Sequence, residues 1–301
     1  MMRSVVLAVT NRSLTKKLVT ETAAGLAVAH RFVAGDTLEE AVAVAEELNT
    51  MGMSVSLDHL GEHVTAIDEA TAARDSYLAC LGEIADQQLD ANISIKLTQL
   101  GMGLDDEVAA RYLDEIAVAA LGAETTVTID MEESEHTQTT IDLYMAAQKK
   151  HGNLGIAIQS YLRRTREDLD RIIPLGGHIR LCKGAYAEPE DVVFQSNDEV
   201  DAAFDRLGAL LMDSPDVKPA IASHDIARQV KVIEAARHRQ DPWEFQVLYG
   251  VQRARQAELV SMGHDVRVYL PYGEAWYPYL TRRLAERPAN LFFFMRALVK
   301  G

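Results

Sequence analysis

Short apolar runs rich in β-branched residues recur along the chain and alternate with longer amphipathic stretches. The eight short runs cover residues 53–57, 92–96, 126–130, 154–159, 178–183, 218–223, 244–248 and 265–270. Helical periodicity between and before them covers residues 37–48, 107–120, 138–151, 198–212, 225–239 and 252–262. Strands that alternate with helices form a parallel sheet, and eight such units are the number in a closed (β/α)8 barrel. An open doubly wound sheet is the alternative, but no G-x-G-x-x-G follows the first predicted strand.

Three helical segments lie outside the repeating pattern. Residues 12–32 and 37–48 precede the first strand, so we predict an N-terminal helical cap over residues 1–50 and a catalytic barrel over residues 51–301. The stretch from 276 to 287 predicts a C-terminal helix, and it carries Arg282, Arg283 and Glu286.

Composition narrows the class of protein. The formal net charge of −15 disfavours a nucleic-acid partner, whose phosphates would be repelled. Cys80 and Cys182 are expected to be reduced thiols in a cytosolic protein. The apolar run near the N-terminus is too short for a secretory signal, and no stretch approaches the length of a membrane span.

Polar side chains stand where the predicted strands end. Active sites of (β/α)8 barrels lie at the C-terminal ends of the strands. Read in order, these ends carry Asp58, Lys96, Asp130, Gln159, Arg180 with Lys183, Ser223 with His224, Gln246, and Tyr269. Cations that converge on one pocket bind an anion, and arginine offers a bidentate fork to a carboxylate or a phosphate. Arg282 and Arg283 would add two more cations, although a solvated helix face with Glu286 as an ion-pair partner explains them equally well.

Three other functions stay open at this point. His59 and His63 match an H-x-x-E-H pattern that binds zinc on a helix, but Gly61 and the preceding strand favour a polar loop instead. Lys96 or Lys183 would suit a Schiff-base aldolase, the more serious alternative. A barrel that only binds a ligand is disfavoured by the number of charged groups directed to one end.

Nine segments, none decisive alone, together resemble the proline dehydrogenase family, of the monofunctional bacterial type. They cover about residues 50 to 290. The segments are SLDHLGE at 56–62, IKL at 95–97, IDME at 129–132, QSY at 159–161, RLCKGAY at 180–186, ASHD at 222–225, EFQ at 244–246, RVY at 267–269 and YLTRRLAE at 279–286.

The resemblance implies a fold and a reaction. The fold is a distorted (β/α)8 barrel whose last helix lies over the barrel mouth. FAD is bound noncovalently, and hydride passes from C5 of L-proline to flavin N5, giving Δ1-pyrroline-5-carboxylate in the first step of proline catabolism to glutamate. Quinone is the implied electron acceptor, and a separate pyrroline-5-carboxylate dehydrogenase takes the product. The resemblance also implies a cytoplasmic protein in peripheral contact with the inner face of the cell membrane.

The resemblance also assigns roles to residues, and it implies neither a metal nor a dedicated general base. The implied cofactor contacts are Asp130, Met131, Gln159, Arg180, Lys183, Gly184, Ala185, Tyr186, Ala222, Ser223, His224, Asp225, Gln246, Val247, Arg283 and Glu286. The implied substrate contacts are Lys96, Leu248, Tyr269, Tyr279, Arg282 and Arg283. Of these contacts, Lys96, Arg180, Tyr269, Tyr279, Arg282 and Arg283 form the catalytic set. Glu62 is the implied gate, paired with Arg282, and Tyr269 is expected to favour proline over 4-hydroxyproline.

Three positions depart from the pattern of the family. Ala187 stands where some relatives carry Trp, Asp225 where others carry Asn, and Cys182 where others carry Val. These departures put a cofactor-stacking contact at position 187 in question.

Overall fold

Eight parallel strands close into a barrel, with each strand paired to the next and β1 paired to β8. The computed structural model describes residues 29–286, and of residues 282–286 the backbone alone. The strands are β1 Ser54–His59, β2 Ala91–Ile95, β3 Val127–Ile129, β4 Leu154–Gln159, β5 Gly177–Cys182, β6 Val217–Ala222, β7 Glu244–Leu248 and β8 Val266–Tyr272. The prediction of a (β/α)8 barrel is therefore confirmed, and the open-sheet alternative is excluded.

Nine α-helices lie within the described part of the chain. They are α1 Leu38–Thr50, α2 Ile67–Asp86, α3 Asp106–Gly122, α4 Thr137–His151, α5 Thr165–Ile172, α6 Asn197–Met212, α7 Ile226–Ala235, α8 Arg253–Ser261 and α9 Trp276–Glu286. The sequence pattern did not predict α2 and α5. Half of the buried residues of α2 are small, namely Ala70, Ala73 and Cys80, so its hydrophobic periodicity is weak.

The strands alternate between an apolar outer face and a polar inner face. Val55 and Leu57 of β1 belong to the apolar core outside the barrel wall, whereas Ser56 and Asp58 are equally buried but polar. The same period of two recurs on β2, where Asn92 and Ser94 alternate with apolar residues. The interior of this barrel is thus built largely from hydrogen-bonding side chains.

Helix α1 packs beside β1 and β8 on the side of the barrel. Its N-terminus is a capping box, in which the Thr37 side chain accepts from the Glu40 backbone and the Glu40 side chain accepts in return. Residues 1–28, the larger part of the predicted N-terminal cap, lie outside the described residues. The division of the chain at residue 50 therefore stays a prediction.

The C-terminal ends of the strands form the barrel mouth, and a second apolar cluster covers part of it. Trp276, Tyr279 and Leu280 of α9 pack there with Phe32 and Leu60. Two side chains from β7 and β8, Leu248 and Tyr269, lie against this cluster. The last helix is thereby held at the barrel mouth, as the resemblance implies. None of the described helices is long and apolar enough to cross a membrane.

Candidate active site

A cavity of about 770 Å³ opens at the barrel mouth. All eight strands, or the loops that directly follow them, supply side chains to it. It is lined by every predicted site residue whose side chain the structure describes: Glu62, Lys96, Asp130, Met131, Gln159, Arg180, Lys183, Gly184, Ala185, Tyr186, Ala222, Ser223, His224, Asp225, Gln246, Val247, Leu248, Tyr269 and Tyr279. The roles predicted for these residues stay predictions, but the structure brings them together.

Lys96 follows β2 and is 95% buried, with its ammonium against two carboxylates. The Nζ atom donates to Asp58 Oδ1 at 2.9 Å and lies 3.7 Å from Asp130 Oδ2. Burial alone would lower the pKa of Lys96, but the carboxylates of Asp58 and Asp130 raise it well above its ordinary value. Lys96 is therefore a permanent ammonium, which suits an anion anchor and not the neutral nucleophile of a Schiff-base aldolase.

Arg180 of β5 occupies the centre of the barrel mouth. Its guanidinium pairs with Asp130, donates to Gln246 Oε1 and donates to Ser94 Oγ at 2.9 Å. The neighbouring strands carry Ala157 and Ala220 in register with it, and these small side chains leave room for the long arginine. The guanidinium carbon also lies 5.2 Å from the centroid of the Tyr269 ring, within the range of a cation–π contact.

Asp130 joins the two cations of the mouth. It accepts from Tyr269 Oη at 2.7 Å and from Ser94 Oγ at 2.8 Å, in addition to its ion pairs with Arg180 and Lys96. Burial would raise the pKa of Asp130, but Arg180 and Lys96 hold it below the usual range. Burial raises the pKa of Tyr269 well above its ordinary value, so the phenol keeps the proton that it donates.

Gln159 brings an unpaired acceptor to the site. Its Nε2 atom donates to the backbone oxygens of Met131 at 3.2 Å and Glu132 at 3.3 Å. Its Oε1 atom is buried, and no described residue forms a hydrogen bond with it. A buried acceptor of this kind costs free energy unless a ligand donates to it.

The loops after β5 and β6 form the outer wall of the cavity. Lys183 pairs with Asp201 at 2.5 Å and with Asp225 at 2.8 Å. Asp225, which replaces the Asn of some relatives, also caps α7 by accepting from Ala227 N at 3.0 Å. Gly184 has a φ of 116°, and a Cβ there would lie 2.4 Å from the Tyr161 ring, so the close approach requires glycine.

Four predicted features extend beyond what the structure describes. The side chains of Arg282, Arg283 and Glu286 lie outside the described residues, and with them the pairing of Arg282 with Glu62. Glu62 itself lines the cavity, as does Tyr279 of α9.

Several polar residues of the mouth were not assigned a role by sequence reasoning. Asp58 is fully buried against Lys96, and Ser94 bridges Arg180 and Asp130. Side chains on a strand alternate between its two faces, so residues two positions apart point to the same side. Asp58 and Ser94 each lie two positions from another inward-facing residue, and this spacing could have indicated that they face the barrel interior. Five further residues complete the cavity wall: Ala157, Cys182, Ile226, Ala227 and Gln252.

The H-x-x-E-H segment does not form the helix that a zinc peptidase needs. His59 ends β1 as a half-buried residue whose ring centroid lies 5.3 Å from that of Tyr272, so it belongs to the strand and is not a solvated loop histidine. Residues 60–66 are irregular, and His63 has a φ of 50°.

Comparison with known proteins decides between these possibilities. A profile of the family described as Proline dehydrogenase matches residues 41–296. The chain belongs to the proline dehydrogenase family. It is 39% identical over 276 residues to Proline dehydrogenase 1 of Bacillus subtilis subsp. natto, a match that covers 90% of this chain and 91% of that protein. The resemblance seen in the sequence is thus confirmed, and the chain is an enzyme of this family.

A second relative and a solved structure extend the comparison. Proline dehydrogenase of Deinococcus radiodurans is 32% identical over 307 residues, covering 99% of this chain and 98% of that protein. Among solved structures, proline utilization A (PutA) from Bdellovibrio bacteriovorus, inactivated by N-propargylglycine, superposes with a TM-score of 0.81 at 24% identity. That match covers 86% of this chain and 32% of the PutA chain, and it shows the shared fold.

Proposed function

We propose that this enzyme oxidises L-proline to Δ1-pyrroline-5-carboxylate, the first step of proline catabolism to glutamate, with noncovalently bound FAD. The observation that carries the proposal is the cavity at the mouth, to which seven strands contribute predicted flavin or proline contacts and the loop after β1 contributes the predicted gate, Glu62. Family membership is the second support.

The residues present fit a flavin. Gln159 Oε1 is a buried acceptor without a partner among the described residues, and an amide N–H of the flavin ring would satisfy it. Arg180 supplies a buried cation beside it, and the loop from Lys183 to Tyr186 with the segment from Ala222 to Asp225 forms the rest of the proposed cradle. Bound FAD would accept a hydride at N5, and a fixed cation near a ring that gains negative charge favours that transfer.

Lys96 is the proposed anchor of the substrate carboxylate, together with Arg282 and Arg283. Its ammonium lies in the cavity wall, held there by Asp58 from the buried side. Because Asp58 is fully buried while Lys96 borders the cavity, Asp58 acts as a positioning residue for the anchor. A carboxylate held by several fixed cations restricts the orientation of the ring, and orientation is what hydride transfer from one carbon requires.

Tyr269, Tyr279 and Leu248 are the proposed walls of the proline ring. All three line the cavity and belong to or pack against the apolar cluster at the mouth. Apolar walls exclude water and favour a neutral amine, so the chain needs no residue that abstracts a proton from nitrogen. Glu62 is the proposed gate, closing over the substrate through Arg282.

The proposal extends to the partners of the reaction. Electrons pass to a quinone, and a separate pyrroline-5-carboxylate dehydrogenase takes the product, as the family resemblance implies. We place the enzyme in the cytoplasm, where transfer to a membrane quinone would bring it into peripheral contact with the inner face of the cell membrane. Comparing turnover with a soluble quinone analogue and with an artificial dye acceptor tests whether quinone accepts the electrons.

A visible spectrum of the purified protein tests the proposal. We expect a flavin band that anaerobic L-proline bleaches. In Lys96→Met the band should remain, and bleaching at a fixed low proline concentration should slow by roughly 30-fold or more, because a charged hydrogen bond to the carboxylate is lost. Lys149→Met, an exposed lysine of α4, is the matched control and should behave as the wild type.

Two results would contradict the proposal. One is a colourless protein that FAD does not reconstitute. The other is a flavoprotein whose band L-proline leaves unchanged, or bleaches at the same rate in Lys96→Met.

A further inference from the structure

Three possible metal ligands lie together beside the cavity, on segments that follow different strands. His63 belongs to the loop after β1, whereas Glu133 and His136 belong to the segment after β3, where Ser134–His136 forms a 3-10 helix. One ligand atom from each lies within 4.8 Å of the others. His59, the other histidine of the H-x-x-E-H segment, is not part of this group.

The spacing fits a tetrahedral ion. Zinc bonds to nitrogen and oxygen of about 2.0–2.2 Å imply a separation of roughly 3.4 Å between two ligand atoms of a tetrahedron. His63 Nε2 and Glu133 Oε2 are 3.5 Å apart. The rings of His63 and His136 have centroids 6.1 Å apart, and the three ligand atoms lie within 4.8 Å of one another, so side-chain rotation must bring them to tetrahedral spacing when an ion binds.

Glu133 contributes a buried carboxylate oxygen to this group. Its Oε2 atom is buried, and no described residue forms a hydrogen bond with it, although Glu133 as a whole is partly exposed. The contact with His63 is too long for a hydrogen bond of normal strength. A buried carboxylate oxygen in this state requires a cation or a donor.

The backbone holds His63 in an unusual conformation. Its φ of 50° lies in the left-handed region, where a residue with a side chain is strained, and its N–H donates to Thr98 Oγ1 at 3.2 Å. Strained residues of this kind concentrate at functional sites. The bond to Thr98 fixes the loop that carries the imidazole against the segment after β2.

We propose that His63, Glu133 and His136 form a binding site for Zn²⁺, with a fourth position open to water. Two imidazoles and one carboxylate select a borderline metal such as zinc over Mg²⁺ or Ca²⁺, which prefer oxygen ligands alone. Glu135, whose Oε1 lies 3.9 Å from His136 Nε2, adds negative charge next to the site. The family resemblance implies no metal, so a zinc site would be a feature of this chain beyond that resemblance.

Such an ion would tie two loops of the mouth together. Glu62 precedes His63 in the chain and lines the cavity, and Met131, two residues before Glu133, lines it as well. A metal that joins the loops after β1 and β3 therefore restricts the proposed gate. We expect Zn²⁺ to slow proline turnover, and this consequence, unlike the site, rests on the proposed function.

Calorimetric titration of the tag-free, flavin-loaded protein with ZnCl₂ tests the site. We expect one ion per chain, no heat with MgCl₂, and an affinity at least about tenfold weaker in both His136→Ala and Glu133→Gln. His238→Ala, an exposed histidine elsewhere on the barrel, is the matched control and should titrate as the wild type. Zinc-edge X-ray absorption should show two imidazoles with oxygen ligands and no sulfur.

The site is overturned if the wild type takes up no zinc at 1 mM, if both variants bind as the wild type does, or if the spectrum shows sulfur ligation. Glu133→Gln preserves shape, so the test holds even if His136→Ala fails to fold. Zinc that binds without slowing turnover would overturn the effect on the gate alone. A protein without flavin would refute the proposed function, and zinc binding would still be measurable.

Discussion

The barrel carries a buried charged network at each end, and the two are built on the same strands. The mouth network consists of Lys96, Asp58, Asp130, Arg180 and Tyr269. The base network consists of Glu244, Arg267, His178 and Lys218. On β5, β7 and β8, each base residue stands two positions before a mouth residue: His178 before Arg180, Glu244 before Gln246, and Arg267 before Tyr269.

The networks differ in how their charges are arranged. At the base, one carboxylate, that of Glu244, contacts Arg267 at 2.8 Å, Lys218 at 3.0 Å and His178 at 3.3 Å. At the mouth, two cations share two carboxylates and border the larger cavity, about 770 Å³ against about 280 Å³ at the base. A buried ion network is therefore no sufficient sign of an active site. The larger open volume beside the mouth network is the distinguishing feature.

Replacing Glu244 should produce the largest effect on stability. Glu244→Gln leaves Arg267 and Lys218 without their carboxylate, which should cost about 3–5 kcal/mol of unfolding free energy. Denaturant unfolding measures this loss, while the flavin of the folded variant should still be reduced by proline. If Glu244→Gln proved as stable as the wild type, the base network would not have the structural role assigned to it.

The stability that Glu244 contributes should depend on pH. Burial would raise the pKa of Glu244, but His178, Arg267 and Lys218 hold it well below its ordinary value. A depressed carboxyl pKa stabilises the fold fully above the unfolded value of about 4.3 and progressively less as pH falls below it. The difference in unfolding free energy between wild type and Glu244→Gln should therefore shrink as pH falls from 6 towards 3. A difference that stays constant would contradict this.

Replacing Asp130 should affect catalysis more than stability. Asp130→Asn removes the charge that holds Arg180 and Lys96 in place, so we expect kcat/KM for proline to fall roughly 30- to 150-fold, the equivalent of about 2–3 kcal/mol. Because these cations border the cavity, water replaces part of the lost partner, and stability should fall by less than in Glu244→Gln. Steady-state kinetics and denaturant unfolding separate the two effects. A larger loss of stability in Asp130→Asn than in Glu244→Gln, with little loss of activity, would contradict the assignment of the functional site to the mouth.

Substrate choice should show the smallest effect. Tyr269→Ser should reduce the preference for L-proline over trans-4-hydroxy-L-proline by about tenfold, because a phenol leaves no room for the extra hydroxyl. Tyr269→Phe is the control, since it removes only the hydrogen bond to Asp130 and keeps the ring. An unchanged preference in Tyr269→Ser would mean that Tyr269 does not select the substrate.

The fold was predictable because the apolar strand runs recur regularly along the chain. The location of the site was predictable because active sites of (β/α)8 barrels lie at the C-terminal ends of the strands. The eight runs matched the strands to within about two residues at either end, and Lys96, Asp130 and Arg180 could be assigned to one end of the barrel without coordinates. Helix α2 was not predicted, because small buried residues such as Ala70 and Ala73 give only a weak contrast between an apolar and a polar helix face.

Pairings across the barrel could not be read from the sequence. Asp58 and Lys96 are 38 residues apart, and the contacts of Glu244 with Arg267 and His178 depend on how the strands align. The group of His63, Glu133 and His136 could not be predicted for the same reason, because its residues come from the loops after β1 and β3, which are distant in the sequence. Spacing along the chain predicts which end of a barrel a residue occupies, whereas the register decides which residues meet.

A matched pair of arginine variants tests the central contrast most directly. Arg180→Met and Arg267→Met remove similar buried guanidinium groups from the mouth and the base. Anaerobic reduction of the flavin by L-proline, with the melting temperature measured on the same samples, should show reduction slowed at least about 100-fold in Arg180→Met. Arg267→Met should reduce near the wild-type rate but melt several degrees lower. The account is contradicted if Arg180→Met is reduced at the wild-type rate, or if Arg267→Met loses the reaction while keeping its stability.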